Sequence, residues 1–184
     1  HSTRPALVIV FDGSGTMWGK IDGARQAKFE IARDSLRAAL SPLADRFQIG
    51  LVTFGARSRR ACSSVDVAAG PGTVDGLAAL EPLDDFNPQS RGPVVLGLET
   101  AMQTLKNFKG PRDIVLIHDG TDNCGKSVCD SLAALQAAAP GVRISSVFLA
   151  PKPNQKTAMA CLGKTGGRAI SADTAEDTDA AIRQ

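Results

Sequence analysis

The run Leu7-Val8-Ile9-Val10-Phe11 has no polar side chain at either parity. A strand with one wet face alternates apolar and polar residues, so a strand that does not alternate is buried on both faces. This feature asks for a sheet covered above and below. Ile114-Val115-Leu116-Ile117 repeats it, and Gln48 to Phe54 and Ile144 to Leu149 read as further strands. Helical stripes lie between them. Phe29, Ala32, Leu36, Ala39 and Leu40 share one face of a helix expected from about Ala24 to Leu40, with Pro42 at its end. Val95, Leu98, Met102, Leu105 and Phe108 form a second stripe, with Pro93 in its first turn. Val128, Leu132 and Leu135 form a third, capped by Ser127 and stopped by Pro140-Gly141. Shorter helices are expected after a Thr73 cap, around Thr157 to Lys164, and from Thr174 onward. Val65-Asp66-Val67 follows the second strand across a polar loop and reads as an antiparallel edge, and Arg168 to Ser171 as a last short strand. The expected fold class is α/β: three layers, doubly wound, a mostly parallel sheet with one antiparallel edge strand and helices on both faces.

The 184 residues contain no repeat, low-complexity segment or linker, so one domain over 1–184 is expected. Residues 1–4 read as a trimmed terminus or tag remnant, since His1-Ser2-Thr3 lacks an initiator Met. A net charge of +2 gives no electrostatic case for nucleic acid or an acidic membrane surface. Seven Phe, one Trp and no Tyr are too few for a base-stacking platform. No apolar run is long enough to span a bilayer, so direct membrane insertion is not expected.

Two strands end in an Asp followed by a glycine-containing turn: Phe11-Asp12-Gly13-Ser14-Gly15-Thr16-Met17, and Ile117-His118-Asp119-Gly120-Thr121-Asp122. In an open α/β sheet, ligands bind beyond the carboxyl ends of strands where the helices switch faces. Two carboxylates and two hydroxyls would converge there, with Gly13 and Gly15 allowing the sharp turn. An all-oxygen set suits a hard cation that keeps some of its water, Mg²⁺ first, with Mn²⁺ or Ca²⁺ as alternatives.

The pattern Asp12-x-Ser14-x-Thr16 after an apolar strand resembles the first motif of the von Willebrand factor A family. In that family a metal-ion-dependent adhesion site combines D-x-S-x-S with a Thr and an Asp from two later loops. Thr16 keeps the hydroxyl of the second Ser, and Asp119 matches the late Asp. The usual Thr position is Gly92, in Arg91-Gly92-Pro93; Ser90 is close enough in sequence to stand in. The likeness runs from about Leu7 to Ala172 and looks like a bacterial secreted or surface-associated branch. It implies a non-enzymatic adhesion module that binds another protein as a monomeric domain. Ser14 and Thr16 would bind the cation directly. Asp12 and Asp119 would hold its waters or bind it in some states, and an acidic side chain of the partner would complete the shell. Met17, Trp18 and Asp122 are candidates for the partner-binding rim, Trp18 equally for a cover over the core.

Three other readings compete. The same fold could be a metal-independent scaffold with a degenerate site, for which Gly92 is the best argument. A haloacid dehalogenase-like phosphohydrolase could match Asp12, Thr16, Asp119 and Asp122, but Ser14 stands where its general acid belongs. A phosphate-binding loop fails at Ser14 and Ile21. His118 reads as a strand-end residue with one hydrogen bond, Arg57, Arg59 and Arg60 as a solvated loop or partner surface, and Asp84 and Asp85 as a solvated or capping pair. Cys62, Cys124, Cys129 and Cys161 allow three pairings, as well as free thiols. Three of the four sit in loops or at element starts, which favours disulfides and hence an extracytoplasmic setting, without removing the cytoplasm from consideration. In a sheet of this type the helix after Cys129 and the one holding Cys161 should be neighbours. A Cys129–Cys161 bridge is then feasible, leaving Cys62 for Cys124, with a local Cys124–Cys129 loop as the competitor.

Overall fold

The computed structural model describes residues 4–21, 23–56, 62–89 and 91–183. Six strands make one sheet: β1 (Ala6–Asp12), β2 (Gln48–Phe54), β3 (Val65–Ala69), β4 (Arg112–His118), β5 (Arg143–Leu149) and β6 (Ala169–Ala172). Their order is β3-β2-β1-β4-β5-β6, and every pairing is parallel except that of β3 with β2. β1 is buried at all its positions and lies between β2 and β4, which is why its sequence does not alternate.

The two parities of β1 face different cores. Leu7, Ile9 and Phe11 pack with Phe29, Ala32, Leu36 and Leu40 of α1 (Lys28–Leu40), and with Leu80 and Leu83 of a 3₁₀ segment, Gly76–Leu83. Val8 and Val10 pack with Val95, Leu98 and Met102 of α2 (Val94–Leu105) and Leu132 and Leu135 of α3 (Val128–Ala138). The short α4 (Pro153–Lys156) runs into a 3₁₀ segment, Thr157–Thr165, whose Met159 and Leu162 join this second core. The C-terminal α5 (Ala175–Arg183) returns to the α1 side. Each buried Leu, Ile or Phe side chain contributes about 1.5–3 kcal/mol, so the two cores hold the three layers together.

Several expected boundaries shift. α1 begins at Lys28, not Ala24. Lys20 and Ala27 form an antiparallel bridge, Lys28 N donates to Gly19 O at 2.8 Å, and the Glu30 carboxylate accepts from Ala27 N at 3.0 Å. The chain is thus committed to a hairpin before the helix can start. Thr73 caps no helix; its hydroxyl donates to Gly70 O, and Asp75 occupies the cap of the 3₁₀ segment. The helix expected over Thr157 to Lys164 is 3₁₀, closed by Gly166 at φ 88°. Pro93 is the cap of α2 rather than a residue of its first turn.

Both disulfides take the first of the pairings considered. Cys129–Cys161 joins α3 to the neighbouring 3₁₀ segment, and Cys62–Cys124 joins the β2–β3 connection to the loop after β4. The Arg57, Arg59 and Arg60 cluster and Ser90 lie outside the described residues.

Candidate functional site at the crest of the sheet

β1 leads to α1 on one face and β4 leads to α3 on the other, so the winding of the chain reverses between these adjacent parallel strands. Asp12 is the last residue of β1 and Asp119 follows the last residue of β4. The two sequence-distant acidic residues therefore meet at the crevice that α/β sheets open at such a point.

The loop after β1 owes its path to Gly13. Its N–H donates to Phe54 O at 2.6 Å, and a Cβ there would collide with that carbonyl and the Phe86 ring. Gly15 meets no such demand, since a Cβ would find only ordinary contacts. Asp12 is 1% exposed. It accepts from Ser14 N on Oδ1 at 2.7 Å and from Asp119 N on Oδ2 at 3.1 Å, tying the two loops together. Asp119 gathers the rest. Its Oδ1 accepts from Thr16 Oγ1 at 2.9 Å and Ser14 Oγ at 3.3 Å, and the two hydroxyls are 3.1 Å apart. Its Oδ2 accepts from Lys28 Nζ at 3.2 Å.

These groups open onto a cleft of about 340 Å³, also lined by Gly92, Asn123, Lys152 and Gln155. Ala150, held at φ 46°, sits on its wall. Burial, then the charge of Asp119, pushes the Asp12 carboxyl up to about 7. The ionised form of Asp12 is thus disfavoured by its surroundings, and a cation at the crest would favour it. Among the described residues no three His, Cys, Asp or Glu side chains gather as a metal group. A cation here would depend on the Ser14 and Thr16 hydroxyls as well as the two carboxylates. That oxygen-only donor set fits a hard divalent ion.

The position of the family's Thr can also be tested. A Cβ at Gly92 would lie 3.8 Å from Ser14 Cβ and 3.5 Å from the Phe54 ring, both ordinary contacts. A Cβ there fits without displacing either neighbour. Gly92 is instead bound through its backbone: its N–H donates to Asn123 Oδ1 at 2.8 Å and its carbonyl accepts from Asn123 N at 3.3 Å.

The remaining rim candidates part company. Met17 is fully buried in the α1-side core and offers nothing to a partner. Trp18 is 49% exposed, donates from its indole to Pro88 O at 2.7 Å, and meets the Phe29 ring edge-on. It both covers the core and borders the loop. The Asp122 carboxylate turns away from the cleft, accepting from Val95 N at 2.9 Å and Cys124 N at 2.7 Å. It caps α2 from a distant loop. His118 is buried; its Nδ1 donates to Gly120 O at 2.8 Å, while Nε2 has no partner among the described residues. Lys28, Asn123 and Lys152 line the cleft without any signal in the sequence. Lys28 was expected inside a helix already under way, where nothing points it at the motif.

Comparison with known families matches the von Willebrand factor type A domain over residues 7–121. Among solved structures the fold is shared with proximal thread matrix protein 1 from the mussel byssus, in a form described as having a zinc-occupied MIDAS motif. That likeness has TM-score 0.68 at 15% identity, covering 97% of this chain and 46% of that one. The pilus adhesin SpaC from Lactobacillus rhamnosus GG gives 0.74 at 13%, covering 99% and 30%. A von Willebrand factor type A protein from Catenulispora acidiphila gives 0.71 at 15%, covering 99% and 42%. The chain spans less than half the length of each. No curated protein matches.

Proposed function

The chain belongs to the von Willebrand factor type A domain family, and from that premise we propose that it is a non-enzymatic protein-binding module built around a divalent-cation site. The observation that carries this reading is the convergence of Ser14 Oγ and Thr16 Oγ1 on one oxygen of Asp119, with Asp12 bracing both loops from behind. Ser14 and Thr16 would hold the ion and Asp119 and Asp12 would hold its water. A bound Mg²⁺, or Mn²⁺ or Ca²⁺ in its place, supplies a Lewis-acidic centre that can accept a carboxylate oxygen. Ser14 and Thr16 are neutral, so they leave most of the ion's charge for an acidic side chain of the partner protein. Ser90 is a candidate to stand in for the family's Thr.

Two disulfides and the likeness to a pilus adhesin support an extracytoplasmic setting. Among the described residues no helix is long and apolar enough to cross a membrane. The phosphohydrolase alternative lacks its acid, since Ser14 stands where that motif needs an Asp. The metal-independent scaffold keeps one observation in its favour: the glycine where the family places Thr.

Calorimetric titration of Mg²⁺ and Mn²⁺ separates these readings. Wild type is expected to bind, Asp12→Ala to give no heat, and Gly92→Thr, whose Cβ meets only ordinary contacts, to bind roughly tenfold tighter for one added hydroxyl (about 1.4 kcal/mol). Flat traces for wild type and Gly92→Thr alike would leave the scaffold as the function.

A further inference from the structure

Lys28 Nζ lies 3.2 Å from Asp119 Oδ2, the oxygen that the two hydroxyls leave free. The Asp119 side chain is 1% exposed and that of Lys28 only 16%, so the pair is largely screened from water. The geometry is enforced locally. Lys28 is the first residue of α1, and its backbone N–H is anchored on Gly19 O at 2.8 Å. A Cβ on Gly19 would sit 3.7 Å from Nζ and 3.9 Å from Cε. The lysine arm thus runs over a bare stretch of the motif loop and ends at the carboxylate. No other described lysine or arginine is paired with Asp12 or Asp119.

We infer that the Lys28 ammonium is a resident cation of this site, competing with a divalent ion for Asp119. This rests on the cation reading above and adds a residue that sets its affinity. With the ammonium seated on Asp119, the crest already holds one positive charge. A divalent ion entering beside Ser14 and Thr16 meets the ammonium as a like charge a few ångströms away, in surroundings that screen it poorly. Ion binding must therefore loosen the Lys28–Asp119 pair. The site alternates between a lysine-held and an ion-held form, so the acidic partner is captured only where the divalent ion is abundant enough to win.

The test uses the full chain, stripped with chelator. Mg²⁺ and Mn²⁺ are titrated by calorimetry into wild type, Lys28→Met and Lys28→Arg, and thermal unfolding is followed with and without the ion. Lys28→Met is expected to bind at least tenfold tighter than wild type, and Lys28→Arg to resemble wild type. In chelator Lys28→Met melts below wild type, because Asp119 has lost its counter-ion; with the ion present the gap closes or reverses. Lys28→Gln serves as a second uncharged variant with the same expected sign. If wild type binds and the uncharged variants bind equally or more weakly, the competition is wrong while the cation site stands. If no protein gives heat, the cation site itself is wrong and the competition falls with it.

Discussion

His118 shows how one buried side chain can be read for its pH dependence. Burial lowers its pKa from 6.5 to about 4, and the bond to Gly120 O and the charge of Asp119 only partly oppose that. The unfolded chain therefore binds a proton at higher pH than the folded one. The stabilising contribution is complete above pH 6.5 and is lost as pH falls from 6.5 toward 4, to about 2–4 kcal/mol. Asp12 has the opposite sign: its raised pKa means that the folded form takes up the proton first, so acidification from 7 toward 3.8 favours the fold. The difference between wild type and His118→Gln isolates the first effect. In chelator, urea unfolding at pH 7.5 and 4.5 should show the variant gaining about 2 kcal/mol or more on wild type upon acidification. An unchanged difference would mean that the imidazole is more hydrated than its full burial indicates.

At the scale of elements, the two disulfides do different work. Cys129–Cys161 closes a separation of 32 residues between α3 and the 3₁₀ segment beside it, and chain entropy alone gives it about 3–4 kcal/mol. Cys62–Cys124 closes 62 residues. Its second cysteine follows Asn123 and donates its N–H to Asp122, the residues that hold Gly92 and the start of α2. Replacing Cys129 and Cys161 together by Ala should lower the denaturant midpoint and leave cation affinity as it was. Replacing Cys62 and Cys124 should lower both. Equal effects on affinity from the two pairs would show that the loop after β4 is held by Asp12 and Asp122 without help from the bridge.

Across the whole molecule, the crest joins parts of the chain more than a hundred residues apart, since Asp12 and Asp119 approach only when β1 and β4 pair. An ion bound there favours the folded form by mass action, about 2.7 kcal/mol at a hundredfold excess over Kd. For a domain of this size that is a rise in Tm of about 5–11 °C. Wild type should show it on addition of Mg²⁺ and lose it in chelator, whereas Asp12→Ala should melt at one temperature in both. A variant that still responds would place the ion away from the crest.

Much of this architecture was legible in the chain itself. Runs of apolar residues without alternation, such as Leu7 to Phe11 and Ile114 to Ile117, can be buried only inside a covered sheet. The Asp-Gly turns at two strand ends marked where the crevice would lie. Periodicity and turn chemistry are local, so they survive in a one-dimensional reading. Among the long-range contacts, the convergence of Asp12 with Asp119 was expected, but others were not. Lys28 reaches Asp119 across 91 residues and Asp122 caps α2 from 27 residues beyond Val95. Met17 faces the core instead of the rim because a 3₁₀ turn, Gly15–Trp18, rotates it inward. Local patterning was enough to say which strands are buried and which residues end them. That Lys28 is the charge beside Asp119 emerged with the packed fold, because a side chain's partner is set by what the sheet brings beside it.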